Sequence, residues 1–278
     1  MGVAQKRDFY RVNELTELDI LLIKRTAIET TNNRLLREAN IGWIDTFQRV
    51  FQIRRTFDDA GIKNAEVDKA FDEIANNLEE DLHSSIEEEA IPCIDDLLRG
   101  DISFFSDDNR YMGFCHFIAV QYLRTNKIKQ NLIRNCEGTL PGYIDRAMGA
   151  IRHIYATNMA WSIFANRTEK NFCPTLLINN SSVNLIAGDQ PVINTHAVKA
   201  GYAAIVDDVE FYYPISPNTA LIISQDDKYR NGQKNEINAE QAGSFNNLIA
   251  ASAEEQIYGQ SKADLEPYIS LIPQTFQT

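Results

Sequence analysis

The stretch from Tyr111 to Arg134, YMGFCHFIAVQYLRTNKIKQNLIR, constrains the fold more than any other part of this chain. It is too long for a strand and holds no proline, so the pattern predicts a helix. As far as Leu123 it is apolar almost all the way round, as a helix buried on several sides must be. At about 100° per residue, Phe114, Phe117, Ile118, Thr125, Ile128 and Leu132 share one face, and Gln121 falls in the middle of it. Arg124 lies one turn on, at the edge of the stripe. A buried amide needs partners, and an arginine beside it needs an anion or several carbonyls. The helix therefore marks a polar site inside an apolar stripe.

A chain of 278 residues is long enough to bury a sizeable core, as one large domain or two small ones. Its net charge of −12, from 39 acids and 27 bases, disfavours nonspecific attraction to nucleic acid or anionic membrane. The Arg124–Lys129 run is the one basic patch that runs against this average. Cys93, Cys115, Cys136 and Cys173 are widely spaced without a CxxC pair, which reads as reduced, structural thiols in a cytoplasm. The opening MGVAQKRDFY has no apolar signal core, and MGVAQK lacks the Ser/Thr of a myristoylation motif. No apolar run approaches the ~20 residues that span a membrane. The composition predicts a soluble, acidic, cytoplasmic protein.

Along the chain, Thr16 and Asp19 form a capping box that opens a helical stretch to about Ile53, with a break expected at Asn40–Gly42. Phe57–Asn64 reads as a turn with Asn64 as the next cap. Val67, Ala70, Phe71, Ile74, Ala75, Leu78 and Leu82 then follow the helical period. Ser85 and Glu88 suggest a fresh helix start, with Pro92 in its first turns and Gly100 closing it. Beyond the central helix, Gly138, Pro141 and Gly142 punctuate. A further helix runs from about Tyr143 to Asn166, with Ile144, Ala147, Met148, Ile151, Ile154, Tyr155 and Trp161 as its core stripe. At Pro174 the character changes to short β-branched and aromatic runs that read as antiparallel strands: TLLINN, SVNLIAGDQPVI, VEFYYPIS and TALIIS. A polar loop (225–236), a last helix in INAEQAGSFNNLIAASA and a closing strand in EEQIYGQS complete the pattern. The expected fold class is α+β: a helical part over 1–172 and a β-rich part with one further helix over 173–278. A small antiparallel sheet packs on the central helix in one shared core.

QYLRT on a long helix, GDQPVI at a strand end, FYYPISP followed by ALIIS, and NNLIAASAEEQIYG on a helix resemble a bacterial family catalogued as domain of unknown function 4238. The resemblance covers roughly Ser85 to Ser261. Its members often open with a histidine-containing HYVP-like segment, which this sequence lacks. The resemblance implies a bacterial α+β protein with no established reaction or cofactor, and it adds weight to Gln121, Arg124, Asp189, Pro191 and Asn247.

Gln121 and Arg124, one turn apart, either hold loop carbonyls or an aspartate, or recognise a small anionic ligand, which arginine grips bidentately. Asp189, in GDQP after an apolar strand, is either a turn residue or a carboxylate displayed for catalysis as base or metal ligand. His116 lies off the Gln121 face and reads as a core histidine or a base. His83, His153 and His196 have no paired spacing for a metal, so no metal ligands are assigned. The acids at Glu79–Asp81, Glu87–Glu89, Asp95–Asp96 and Asp107–Asp108 read as solvated helix faces. A restriction-nuclease pattern pairing Asp189 with Glu210-Phe211-Tyr212 lacks its lysine. P-loop, GxGxxG, GxSxG and HExxH motifs are absent. Two function classes follow: a non-catalytic binding or regulatory module with a Gln/Arg/Asp polar core, or a hydrolase or nuclease-like enzyme on a phosphate-containing substrate. In the second, Arg124 binds the anion and Gln121 and Asn247 help to hold the substrate.

Overall fold

The computed structural model describes residues 11–125, 128, 142–167, 172–201, 208–229 and 234–273. Cys136, Leu132, the Gly138 and Pro141 punctuation and the MGVAQKRDFY opening lie outside them. The chain forms two compact units, Met1–Glu88 with Ile128–Met159, and Glu89–Lys127 with Ala160–Thr278. The change of structure type near residue 172 falls inside the second. Among the described residues no helix is long and apolar enough to cross a membrane.

The first unit is helical. α1 (Glu17–Ile23) opens on the expected capping box: Thr16 Oγ1 accepts the Asp19 amide at 3.1 Å, and Asp19 Oδ2 accepts the Thr16 amide at 2.9 Å. One π-helical turn, Lys24–Ile28, continues it. Asn33 then caps α2 (Arg34–Asp59), which runs unbroken through the expected break at Asn40–Gly42. Asn40 is a poor helix former on its own. Here it is fully buried, and its amide donates to Asn158 Oδ1 at 2.7 Å. Tertiary pairing thus overrides propensity, a difference of ~1 kcal/mol for a residue such as Gly42. The chain instead breaks just ahead of Asn33.

α3 spans Ala65–Leu98 as one helix. The start expected at Ser85–Glu88 does not occur, and Pro92 lies inside the helix. The reason is phase. Phe71, Ala75, Ala90, Cys93 and Leu97 are buried and keep one helical register across Ser85 and Pro92, so packing holds the helix through both. α4 (Asp108–Leu123) follows in the second unit. α5 (Tyr143–Ala165) returns to the first and buries Ile144, Ala147, Met148, Ile151 and Ile154 as expected, although Tyr155 is exposed. Gly149 lets α2 approach α5: a Cβ there would stand 2.5 Å from the Phe47 ring.

In the second unit α4 is buried nearly all round, from Tyr111 to Gln121, and Arg124 is its C-cap. Beyond it come β1 (Cys173–Asn179), β2 (Ala187–Gly188), β3 (Ile193–Asn194), α6 (Thr195–Ala200), β4 (Glu210–Ser216) and β5 (Thr219–Ser224). They are followed by β6 (Lys234–Ile237), α7 (Ala239–Ser252), β7 (Ile257–Tyr258) and α8 (Lys262–Leu265). The main sheet has the order β3-β4-β5-β1-β6, and β2 pairs with β7. The α+β class holds, with one correction: the sheet is mixed, because β6 lies parallel to β1. Its sequence, KNEI, buries only Ile237, so it carries no hydrophobic signal and in the sequence looks like part of the polar loop. A polar, lysine-bearing edge strand of this kind also discourages further pairing.

Alternation along β4 shows how the sheet is covered. Phe211 meets Tyr122 at 5.2 Å between ring centroids and Tyr213 meets Phe117 at 6.0 Å, both on α4. Tyr212 turns the other way and stacks on Phe245 of α7 at 4.3 Å. With helices on both faces, β5 is buried at all six positions.

A fragment from Phe172 to the end keeps α7 but loses α4. It is expected to show no cooperative thermal transition, because Phe211, Leu221 and Ile223 lose their cover. A sharp calorimetric peak from that fragment would contradict the shared core.

Candidate functional site

The sequence candidates fall in the second unit. Gln121 is buried on α4, and Arg124 is half-buried at that helix's end. The GDQP segment does dock there, through Gln190: its Nε2 donates to Tyr122 O at 3.1 Å and to Val192 O at 2.8 Å. Asp189 has other work. Its Oδ1 accepts the Glu254 amide at 2.8 Å, and its Oδ2 accepts those of Glu255 and Gln256 at 2.7 and 3.0 Å. Its own amide donates to Gln256 O at 3.0 Å. The carboxylate thus pins the chain as it leaves α7 and starts β7.

Asn247 is exposed, and its neighbour Asn246 is the buried one. Asn246 Oδ1 accepts the Ile186 amide at 3.0 Å, and its Nδ2 donates to Asn184 O at 2.8 Å and to the Tyr268 hydroxyl at 3.2 Å. Glu210, the second acid of the nuclease-like pattern, is buried too. It accepts Thr195 Oγ1 at 2.7 Å and Ser224 Oγ at 2.8 Å. His116 sits off the Gln121 face, and burial pushes its imidazole down to about 4.

The first unit holds an arrangement that sequence reasoning missed. Glu79 and His83, four residues apart on α3, are both buried, and His83 Nε2 lies 3.7 Å from Glu79 Oε1. α5 brings His153, fully buried, and Arg152, whose Nη1 donates to Glu79 Oε1. Glu79, His83 and His153 each offer a donor atom within 4.8 Å of the other two. Burial pushes the Glu79 carboxyl up, but the His83 imidazole and the Arg152 guanidinium outweigh it and hold the group below the ordinary carboxylate range. His153 is stacked on Trp43 of α2 at 4.6 Å between centroids. The indole is itself held by an Nε1 bond to Thr157 Oγ1 at 2.8 Å.

The reading of Glu79–Asp81 as a solvated face is right for Glu80 and Asp81 and wrong for Glu79. The signal was present: from Phe71 and Ala75 the helical period lands next on Glu79 and then on His83. A histidine-to-histidine spacing rule does not see a carboxylate and a histidine paired at i,i+4. His153 comes from a distant helix, and no spacing rule reaches it.

The family described as "Protein of unknown function (DUF4238)" matches residues 2–263, and the chain belongs to that family. The match reaches far ahead of Ser85, where the sequence resemblance was first visible. Neither a curated protein nor a solved structure matches the chain.

His116 supplies a pH dependence. Its folded value of about 4 lies below the unfolded value of ~6.5, so its neutral form stabilises the fold above that pH. As pH falls from 6.5 to 4, the unfolded chain takes up a proton that the folded chain refuses. Stability is expected to drop over that window by up to about 3 kcal/mol. Chemical denaturation of wild type and His116→Gln across this range checks it: the variant should lack that part of the slope.

Proposed function

We propose that this member of the family is a non-catalytic binding or regulatory module, in which the region around Gln121, Arg124 and Asp189 is a structural polar core. The observation that carries this reading is the state of the Asp189 carboxylate. It offers about four lone-pair sites, and three of them receive backbone N–H groups. A general base or metal ligand needs lone pairs directed at the reacting proton or ion, and here most of them are directed at the backbone of the 254–256 turn. Arg124 points the same way. It ends α4, where the helix dipole is negative, so its charge is stabilised by the protein itself. Where a small anionic ligand does bind, Arg124 is the residue to hold it.

The enzyme reading, a hydrolase or nuclease-like protein with Asp189 as base or metal ligand and Arg124 on a phosphate, requires Asp189 to release the 254–256 turn during turnover. Nothing in the geometry favours that, and Glu210 is equally occupied by Thr195 and Ser224. A reducing, cytoplasmic setting suits Cys93, Cys115 and Cys173, whose thiols form no disulfide. Burial pushes the Cys115 thiol up to about 12, which keeps it inert.

The test is Asp189→Ala. As an anchor, Asp189 leaves three backbone amides without an acceptor when truncated, and the expected loss is about 2–3 kcal/mol in denaturant unfolding. Asp189→Asn keeps one acceptor oxygen and should fall between the two. A base or metal ligand displayed for chemistry gives the other outcome, unchanged or increased stability in both variants.

A further inference from the structure

We propose that Glu79, His83 and His153 bind one divalent transition-metal ion of the zinc type. This assignment lies in the first unit and stands apart from the reading of Asp189. Two imidazoles and one carboxylate are a borderline donor set, suited to Zn²⁺, Co²⁺ or Ni²⁺ and poorly suited to Mg²⁺ or Ca²⁺, which seek oxygen. Donors around a tetrahedral ion stand ~3.3 Å apart when each bond is ~2.0–2.1 Å. His83 Nε2 and Glu79 Oε1 are already 3.7 Å apart, and all three donors lie within 4.8 Å. Closing the set to ~3.3 Å asks for an adjustment of up to about 1.5 Å.

Three features make this more than a chance cluster. Glu79 and His83 occupy one helical face four residues apart, so α3 alone fixes two ligands. The His153 ring is held by its stack on Trp43, and Trp43 by its bond to Thr157. Glu79 also borders a small void. A cavity of about 30 Å³, room for a water, is bordered by Glu79 and Arg152 together with Arg11, Asn13 and Asp145.

Arg152 is the competitor, and it defines the mechanism. Its guanidinium neutralises Glu79 at Oε1, the same oxygen that faces His83 Nε2. With metal bound, the ion carries that compensation and Arg152 moves off or shares the carboxylate. Arg152 is thus the counter-charge that keeps the metal-free protein folded. A plain ion pair has no such exchange.

The experiment uses the full chain, stripped with a chelator and titrated with Zn²⁺ and Co²⁺. The expected result is one ion per chain, with a rise in melting temperature. The Co²⁺ complex should show ligand-field bands of a nitrogen and oxygen set, without thiolate-to-cobalt charge transfer. His83→Gln and His153→Gln should weaken binding by about tenfold or more. Arg152→Gln should melt lower without metal, and Zn²⁺ should raise its melting temperature more than it raises that of wild type. Thiolate charge transfer, an unchanged affinity in His153→Gln, or no metal response in either wild type or Arg152→Gln would overturn the proposal. If the histidine variants do not fold, proton NMR of the wild-type Co²⁺ complex decides. Two strongly shifted, exchangeable imidazole N–H signals support the site, and their absence refutes it.

Discussion

A carboxylate taken out of water has to be compensated, and the first unit depends on how Glu79 meets that requirement. The ionised group costs several kcal/mol to bury even after the protein relaxes around it. On α3 itself only the His83 imidazole reaches it, since the other residues in register with Glu79 are Phe71 and Ala75. The compensation comes from α5 as Arg152, and the same helix answers Asp19 of α1 with Arg146, at 2.7 and 2.8 Å. Further along, α5 meets α2 through Thr157 with Trp43 and Asn158 with Asn40. α5 is thus the helix against which the others take their register. Apolar packing supplies most of the stabilisation. The polar pairs set which residue faces which, because any other pairing strands a buried charge.

The second unit solves a different problem. Its sheet is buried on both faces, so it has no solvated side on which polar residues can be placed freely. They are found where the backbone runs out of partners. Asp189 takes the amides at the exit of α7, Asn246 serves the Ile186 amide ahead of β2, and Asn179 donates to Val183 O at 2.7 Å and Pro217 O at 3.1 Å beside the β4–β5 turn. Buried backbone groups must be paired, and short strands such as β2, β3 and β7 leave many that the ladders do not reach. In this light the residues that looked chemical in the sequence are loop anchors. Their placement at strand ends and helix exits follows from hydrogen-bond accounting alone.

What the sequence made legible was local. The Thr16–Asp19 box, the buried character of α4, the strand runs from Pro174 and the stop at Gly100 all follow from patterns spanning a few residues. The errors share a cause at longer range. Asn40 and Gly42 look like a break until Asn158 arrives from another helix. Ser85 looks like a cap until the stripe on either side is seen to stay in phase. β6 has no apolar pattern to read, since only Ile237 is buried. Gln121 was found because a polar residue in an apolar stripe stands out. Glu79 was missed by the same rule, because it sat among other acids and was counted with them.

The histidines beside Glu79 remain the hardest feature to explain by stability. A buried ion pair is weak support for a fold, and apolar residues of similar volume often do as well or better. If Glu79 and Arg152 served only to hold α3 to α5, the neighbouring positions would be best filled by Leu or Phe, as Phe47 and Ile151 fill theirs. Instead the chain places two imidazoles there and braces one of them with a tryptophan. Imidazole is costly to bury and adds little packing that a leucine lacks, so an apolar core gives no reason for the pair. A site that exchanges an arginine for a metal ion does give one. It needs a carboxylate, two imidazoles close by, and a fixed cation that stands in while the site is empty.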